Sequence, residues 1–244
     1  INASDTIGLN LIQTLTENPN FLGTKTNTTV IGGNSLSLTL GQVSGTYDFN
    51  SVVDLGATFT SYVESFIDII QLNYALQFDS PVENFDVREG LFDGDPAAYD
   101  GSTAVVQIAT TLDDPTSPTA TFTTFNNLSA GSYSARGYKF RALLTTNNLD
   151  VAPKVTNLQV KIDMPDVIQS AEDIAFTGTK VVTFPSAFYT VSNPAVSTSV
   201  TGLGSGDYIE ITSKTNSGFT ITAKDSSGNP LTTQTELDYV ARGY

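Results

Sequence analysis

Apolar and polar residues alternate with a period of two through most of the chain, which is the pattern of strands that bury one face. Alternate positions from Phe66 to Phe78 are apolar except for Asp68, and we expect this face to pack on a core. Alternate positions from Thr156 to Met164 show the same pattern. Leu9–Glu17 is the one segment compatible with a short helix. The pattern therefore predicts an all-β fold.

Turn-rich segments divide the strand candidates into two groups. The first group is Ser35–Leu40, Ser51–Thr58, Ala104–Thr110, Ala120–Phe125 and Tyr133–Leu144. The second group is Lys180–Phe184, Val196–Thr201, Tyr208–Ser213, Phe219–Lys224 and Glu236–Arg242. We predict that residues 1–30 form a linker or the start of the first domain. Residues 31–166 are predicted to form a jelly-roll β-sandwich, and residues 167–244 a small antiparallel sandwich.

The charge of the chain excludes one class of partner. The chain has 25 acidic and 11 basic residues, a net charge of −14. Residues 1–166 carry 18 acidic and 7 basic residues (net −11), and residues 167–244 carry 7 and 4 (net −3). Nucleic-acid affinity comes largely from Lys and Arg that neutralise phosphates, so we expect no nucleic-acid partner.

The composition also argues against most catalytic classes. The chain contains no His, Cys or Trp, which excludes Ser-His-Asp and Cys-His catalysis and disulfide bonds. Two carboxylates could still cleave a glycan, but no acidic residue lies at a strand end among aromatic residues, as a sugar-cleaving groove requires. We therefore predict a protein that is not an enzyme and needs no cofactor.

The ends of the chain and its apolar runs bear on location. The first residues lack a basic segment followed by an apolar run, so we expect no signal peptide, and the start at Ile1 suggests a fragment of a longer chain. No run approaches the roughly 18 apolar residues of a membrane span, so we expect no membrane insertion.

Three aspartates in one loop are the candidate metal ligands. Asp93, Asp95 and Asp100 follow one another in the segment DGDPAAYD, and oxygen ligands in such a loop suit Ca²⁺. Asp-Gly and Asp-Pro are also ordinary turn formers, and no Glu closes the twelve-residue calcium loop. We therefore predict a turn in this segment and no metal requirement.

The last part of the chain resembles the H-type lectin domain. The resemblance is carried by VVTFPSAFYTVSNPAV (Val181–Val196), the strand near Tyr208–Thr212, SGFTITA (Ser217–Ala223) and LDYVARGY (Leu237–Tyr244). It implies a six-stranded antiparallel sandwich that assembles as a homotrimer with sugar sites between subunits. The sugar site of that family uses His, Trp and Arg, and His and Trp are missing here. The resemblance therefore supports the fold and the trimer of this chain more strongly than its sugar site.

Residues 20–166 resemble the carboxy-terminal region of phage tail host-specificity proteins. The matching segments are NFLGTKTNTT (Asn20–Thr29), VVDLGATFTS (Val52–Ser61), LFDGDPAAYDG (Leu91–Gly101), ARGYKFRALLTT (Ala135–Thr146) and KVTNLQVKIDMPD (Lys154–Asp166). The early Val-Asp-Leu-Gly strand and the late Arg-bearing strand also resemble galactose-binding-like jelly rolls. The resemblance implies a virion protein of the tail tip or tail fibre, assembled in the host bacterial cytoplasm. Its partners would be other phage tail proteins and a host surface glycan or outer-surface protein.

Five residues of the second part are predicted to contact the host: Tyr208, Lys214, Asn216, Tyr239 and Arg242. Tyrosine rings stack on sugars, and Lys, Asn and Arg donate hydrogen bonds. Tyr239 and Arg242 could instead lie in a subunit interface, where both residue types are enriched. Two alternative functions are a free carbohydrate-binding lectin or adhesin, and a capsule-degrading enzyme.

A six-residue pattern, Tyr-x-Ala-Arg-Gly-Tyr, occurs twice, at Tyr133–Tyr138 and Tyr239–Tyr244. The sequences around the two copies differ. We therefore attribute the pattern to chance or to similar strand chemistry and not to a true repeat.

Overall fold

The computed structural model describes residues 9–73, 101–189 and 194–244. Every regular element in these ranges is a β-strand, so the predicted all-β fold is confirmed. The helix considered for Leu9–Glu17 is wrong, because Leu9–Thr16 forms strand β1 and pairs with Val151–Pro165. Within these three ranges no helix has the length and apolar character to span a membrane.

The chain divides into two compact units, Leu11–Asp163 and Met164–Tyr244, and the described residues Leu9 and Asn10 group with the second. The strands of the first part are β1 (Leu9–Thr16), β2 (Thr24–Thr26), β3 (Thr28–Ile31), β4 (Ser35–Leu38), β5 (Ser44–Asp48), β6 (Val53–Asn73), β7 (Ser102–Thr111), β8 (Asn126–Asn127), β9 (Gly131–Thr146) and β10 (Val151–Pro165). They form one branched sheet with the order β2-β5-β9-β6-β10-β4-β3, in which β1 joins β10 and β7 joins β8 and β9.

Aromatic residues of β5 and β9 form the centre of the first core. Tyr47, Tyr138 and Phe140 are at most 2% exposed. Ring contacts run from Phe21 to Tyr47 at 5.7 Å and from Phe49 to Phe140 at 5.9 Å. Burial of each large apolar side chain contributes about 1.5–3 kcal/mol, so this aromatic row is a main source of stability for the sheet.

The pairing of β6 with β10 corrects the face predicted for residues 66–78. The fully buried Leu158 lies opposite Ile67, which is half-buried, so Ile67 and not Phe66 is on the side of the core. Phe66 and Ile70 are 38% and 51% exposed, so the predicted buried face is wrong for residues 66–70. Leu72 is half-buried, and residues 74–78 lie outside the described part of the chain. Asp68 belongs to the exposed set and needs no buried partner.

The prediction for β10 is confirmed except at its first residue. Leu158, Val160, Ile162 and Met164 are at most 2% exposed. Thr156 is exposed, because a register shift between Val155 and Asn157 interrupts the alternation.

One strand candidate of the first part is wrong. Ala120–Phe125 has no ladder partners and runs as an irregular segment, and only Asn126–Asn127 (β8) pairs with β7. Phe122 and Phe125 instead lie over basic side chains of β9.

The second unit is a sandwich of two three-stranded antiparallel sheets. Its strands are β11 (Val167–Thr177), β12 (Thr179–Thr183), β13 (Ala195–Thr201), β14 (Tyr208–Thr215), β15 (Gly218–Lys224) and β16 (Gln234–Gly243). One sheet has the order β11-β16-β13 and the other β12-β15-β14. A core around Phe184, Phe219 and Leu237 draws residues from both sheets. The predicted six-stranded antiparallel sandwich is therefore confirmed.

Candidate functional site

The loop that follows β1 is held firmly against the first sheet. The Glu17 N–H donates to the Leu158 carbonyl at 3.0 Å, and the Asn18 side-chain oxygen accepts from the Leu158 N–H at 3.0 Å. Phe21 has a φ of 45°, a strained value for a residue with a side chain, but its ring is fully buried against Tyr47. The sheet and the buried ring thus fix the loop conformation.

Glu17 is the chemically notable residue of this loop, because its carboxyl group is buried. The residue is 8% exposed, accepts a hydrogen bond from the Tyr47 hydroxyl and accepts the Asn50 N–H at 3.4 Å. No described residue forms an ion pair with it. Burial, and then the hydrogen bond to Glu17, raise the pKa of Tyr47 above its ordinary value. The carboxyl group retains acceptor capacity beyond these two bonds.

Glu17 opens on a cavity of about 270 Å³. The cavity lies between the end of β1, the following loop and the connection from β5 to β6. Its lining is mainly hydroxyl, amide and carboxyl groups: Thr14, Leu15, Thr16, Glu17, Asn18, Asn20, Leu22, Asn50 and Ser51. We call this cavity the Glu17 pocket. Its volume lies near the lower end of the range for small-molecule sites, about 300–1,000 Å³, which suits one ring-sized ligand.

Sequence reasoning missed the Glu17 pocket. Glu17 and Asn50 are far apart in the sequence and meet only because β1 and β5 end close together. The one available signal was the polar run TENPN at residues 16–20, directly after an alternating segment. Such a run is equally typical of an ordinary loop.

The structure separates the predicted contact residues on β14. Tyr208 is 45% exposed at the start of the strand, opposite Lys224, whose ammonium pairs with Glu210. Lys214 is exposed near the other end, beyond a bulge at Ser213. Six residues of extended strand span about 20 Å, so Tyr208 and Lys214 cannot contact one small ligand together.

Asn216 has a structural role in the hairpin between β14 and β15. Its side-chain nitrogen donates to the Phe188 carbonyl at 3.1 Å, and its own carbonyl accepts the Phe188 N–H at 2.8 Å. Replacement of Asn216 would therefore disturb the segment around Phe188 as well as any ligand contact.

Tyr239 and Arg242 belong to β16 but point to different surroundings. Tyr239 is 3% exposed and packs on Phe184 and Phe219 at 5.9 and 5.6 Å, so the prediction of a stacking surface at Tyr239 is corrected. Arg242 lies on the exposed face of the strand and pairs with Asp166. The five predicted residues therefore do not converge on one site.

A second, shallower cavity of about 220 Å³ lies on the outer face of the sheet β11-β16-β13. Its lining is Ser170, Glu172, Ser197, Thr198, Ser199, Asp238, Tyr239 and Val240. Glu172 is exposed, and Asp238 accepts the Asp173 N–H at 2.9 Å. Because solvent reaches both acidic side chains, this cavity lacks the buried acidic residue that distinguishes the Glu17 pocket.

The calcium candidates Asp93, Asp95 and Asp100 lie outside the described residues. Within the described ranges, no group of three or more His, Cys, Asp or Glu side chains could hold a metal ion. The prediction about this loop stays a prediction.

No protein-family model matches the chain, and no curated protein matches it. Among solved structures it is similar to wild-type and native recombinant discoidin II from Dictyostelium discoideum, at 16% and 14% identity. The two alignments cover 86% of this chain and 80% and 81% of those chains, with a TM-score of 0.25 in each case. A TM-score this low supports no conclusion about fold or function.

Proposed function

We propose that this chain is a non-enzymatic attachment protein that binds a surface glycan through the Glu17 pocket. The observation that carries the proposal is the buried residue Glu17, which lines a polar cavity and whose carboxyl group has no cationic partner among the described residues. A sugar supplies the donors that this carboxylate lacks, because its ring presents adjacent hydroxyl groups.

The other groups of the pocket complement the same ligand. Asn20 and Asn50 can donate or accept hydrogen bonds, and Ser51 carries a hydroxyl. Leu22 is 70% exposed at the cavity and offers an apolar contact for the C–H face of a sugar ring. Among the described residues, Glu17 alone is acidic in the lining of the cavity, whereas glycoside hydrolysis ordinarily needs two carboxylates. This difference favours binding over cleavage.

The biological setting that we propose is the tail tip or tail fibre of a bacteriophage. The support is the resemblance of residues 20–166 to phage tail host-specificity proteins and of the last residues to H-type lectins. We further propose a homotrimer assembled mainly through residues 167–244, with other tail proteins as partners. The alternative is a free lectin or adhesin that uses the same pocket.

Titration of the full chain with neutral monosaccharides tests the binding. Galactose, glucose, mannose and N-acetylgalactosamine are titrated by isothermal calorimetry into the wild type and three variants. We expect one or more of these sugars to bind, with about tenfold weaker binding after Asn20→Ala or Glu17→Gln because a hydrogen bond is lost. Asn20 is exposed and its side chain bonds to no described residue, so Asn20→Ala should fold normally.

Gln42→Ala is the matched control, because Gln42 is also exposed and lies outside the pocket lining. Equal affinity of the wild type, Asn20→Ala and Glu17→Gln would exclude the pocket as the site. Absence of binding by all of the sugars would contradict the proposal as a whole.

Two further measurements test the proposed location in a phage tail and the proposed trimer. Immunoelectron microscopy with antibodies against the chain should label the tail ends of virions, and a chain absent from virions would favour the free lectin. Light scattering should give a trimer for the full chain, and a monomer at micromolar concentration would contradict the proposed assembly.

A further inference from the structure

Two basic side chains lie side by side on the outer face of β9, each beneath an aromatic ring. The Lys139 ammonium is 4.0 Å from the centre of the Phe122 ring, and the Arg141 guanidinium is 4.2 Å from the centre of the Phe125 ring. Both basic residues are half-buried. Residues two apart on one strand share a face at a spacing of about 7 Å, so the two positive charges repel each other.

The Arg141 guanidinium is oriented by neighbouring amides. Its Nε–H donates to the Gln107 side-chain oxygen at 2.7 Å, and the Gln107 side-chain nitrogen donates to the Asn127 side-chain oxygen at 3.0 Å. Gln107 is only 8% exposed, so it has little freedom to move. The stacked ring and the amide chain together hold the guanidinium plane before any ligand arrives.

The remaining donors have no acceptor in the described part of the chain. An arginine has five N–H groups, and only the Nε–H of Arg141 is used by a described residue. Neither Lys139 nor Arg141 forms an ion pair within those residues. Asp48 lies opposite Arg141 in the pairing of β5 with β9, yet makes no such pair. The two positive charges therefore have no acidic partner among the described residues.

We propose that Arg141 and Lys139 form an oxyanion-binding site, which would take the carboxylate or phosphate group of an acidic sugar. A fixed guanidinium fork matches two oxygens of such a group, and the Lys139 ammonium adds a positive charge whose hydrogen bonds can point in several directions. The site shares no residue with the Glu17 pocket and does not depend on the function proposed for that pocket.

A matched set of probes tests the proposal on the full chain. Glucuronate, glucose 6-phosphate and uncharged glucose are titrated under identical conditions at low and high salt. We expect glucuronate or glucose 6-phosphate to bind more tightly than glucose, with an advantage that falls as salt rises. Glucuronate alone would identify a carboxylate site and glucose 6-phosphate alone a phosphate site, and either result supports the proposal.

Variants locate the binding. Arg141→Lys keeps the charge but loses the fork, and we expect about tenfold weaker binding of the charged probe. Asp48→Asn removes the facing negative charge and should strengthen that binding, whereas a merely structural role of Arg141 predicts no gain. Asn20→Ala should leave the binding of the charged probe unchanged. Equal binding of charged and uncharged probes, or unchanged binding in Arg141→Lys, would overturn the proposal.

Discussion

The same six-residue pattern, Tyr-x-Ala-Arg-Gly-Tyr, lies in strand β9 of the first unit and at the end of strand β16 of the second, where Tyr244 directly follows the strand. In both copies the alanine is fully buried and the arginine, on the other side, pairs with aspartate. In both, a Cβ added to the glycine (Gly137 or Gly243) would lie within 2.8 Å of a neighbouring side chain. The shared pattern therefore indicates a strand in which a neighbouring side chain packs directly against the glycine backbone.

The two copies differ in which tyrosine is buried. In β9 the last tyrosine, Tyr138, is fully buried, because the pairing with β6 shifts register beside it. In β16 the buried positions Leu237, Tyr239 and Ala241 keep the alternation, because the extra residue of the register shift beside Tyr239 lies on β11, between Ala171 and Ile174. The first tyrosine, Tyr239, is therefore buried, and the last, Tyr244, is half-buried. A short pattern therefore indicates strand chemistry, and the partner strand decides which side chain is exposed.

Replacement of the two glycines should give the largest difference in stability between the two copies. A Cβ at Gly137 would lie 2.7 Å from Pro115 and 2.9 Å from Thr111, in a residue paired on both sides. We expect Gly137→Ala to lower the free energy of unfolding by about 1–3 kcal/mol, as overpacking does. Gly243→Ala would meet the Phe188 ring at 2.8 Å, in a residue that is paired on one side, with Val167. Denaturant unfolding followed by circular dichroism measures both, and a larger loss in Gly243→Ala would contradict this comparison.

Removal of the tyrosine hydroxyls should give a smaller difference in stability between the two copies. The Tyr138 hydroxyl is 2.8 Å from the fully buried Ser61 hydroxyl and donates to the Tyr133 carbonyl at 3.2 Å. Tyr138→Phe leaves Ser61 without this partner and should cost about 1 kcal/mol. The Tyr239 hydroxyl bonds to no described residue, so Tyr239→Phe should change stability by only a few tenths of a kcal/mol. Equal losses in the same unfolding experiment would show that the hydroxyl bond of Tyr138 adds nothing.

Replacement of the two arginines should give the smallest difference in stability between the two copies, and this difference should depend on pH. Arg136 pairs with Asp54 and Asp114, whereas Arg242 pairs with Asp166 and its side chain is 63% exposed. The hydrogen bond from Arg136 lowers the pKa of Asp54, so this stabilisation is present above the ordinary Asp pKa and is lost as pH falls through the lowered value. We expect Arg136→Ala to lower the melting temperature more than Arg242→Ala at pH 7, with little difference from wild type well below pH 4. A pH-independent effect of Arg136→Ala would contradict the ion-pair explanation.

Periodicity predicted much of the fold because it depends on neighbouring residues of one strand. The buried face of β10 and five of the six strands of the second unit follow from alternation, whereas β11 (Val167–Thr177) was not among the predicted strands. The face of β6 was predicted wrongly because Phe66 and Ile67 are both apolar, and only the pairing with β10 decides between them. The strand propensity of residues 120–125 could not exclude a strand there. In the structure the segment is irregular, and its two phenylalanines lie against basic side chains.

The candidate site was harder to predict than the fold. Tyr239 was a reasonable contact residue by chemistry, but its burial depends on Phe184 and Phe219, which are distant in sequence. Glu17 gave no chemical signal, since an acidic residue after a strand is usually exposed. Sites built from several loops depend on tertiary contacts, which a single sequence does not display.

Inhibition of host adsorption by the purified full chain tests most directly the proposal that this chain is a phage attachment protein and binds through the Glu17 pocket. Host cells are treated with the wild type, Asn20→Ala or Lys214→Ala before the phage is added, and free phage is counted. Lys214 is exposed and its side chain bonds to no described residue, so both variants should fold. We expect the wild type and Lys214→Ala to block adsorption and Asn20→Ala to fail. Full blocking by Asn20→Ala together with failure of Lys214→Ala would place attachment in the second unit and contradict the account.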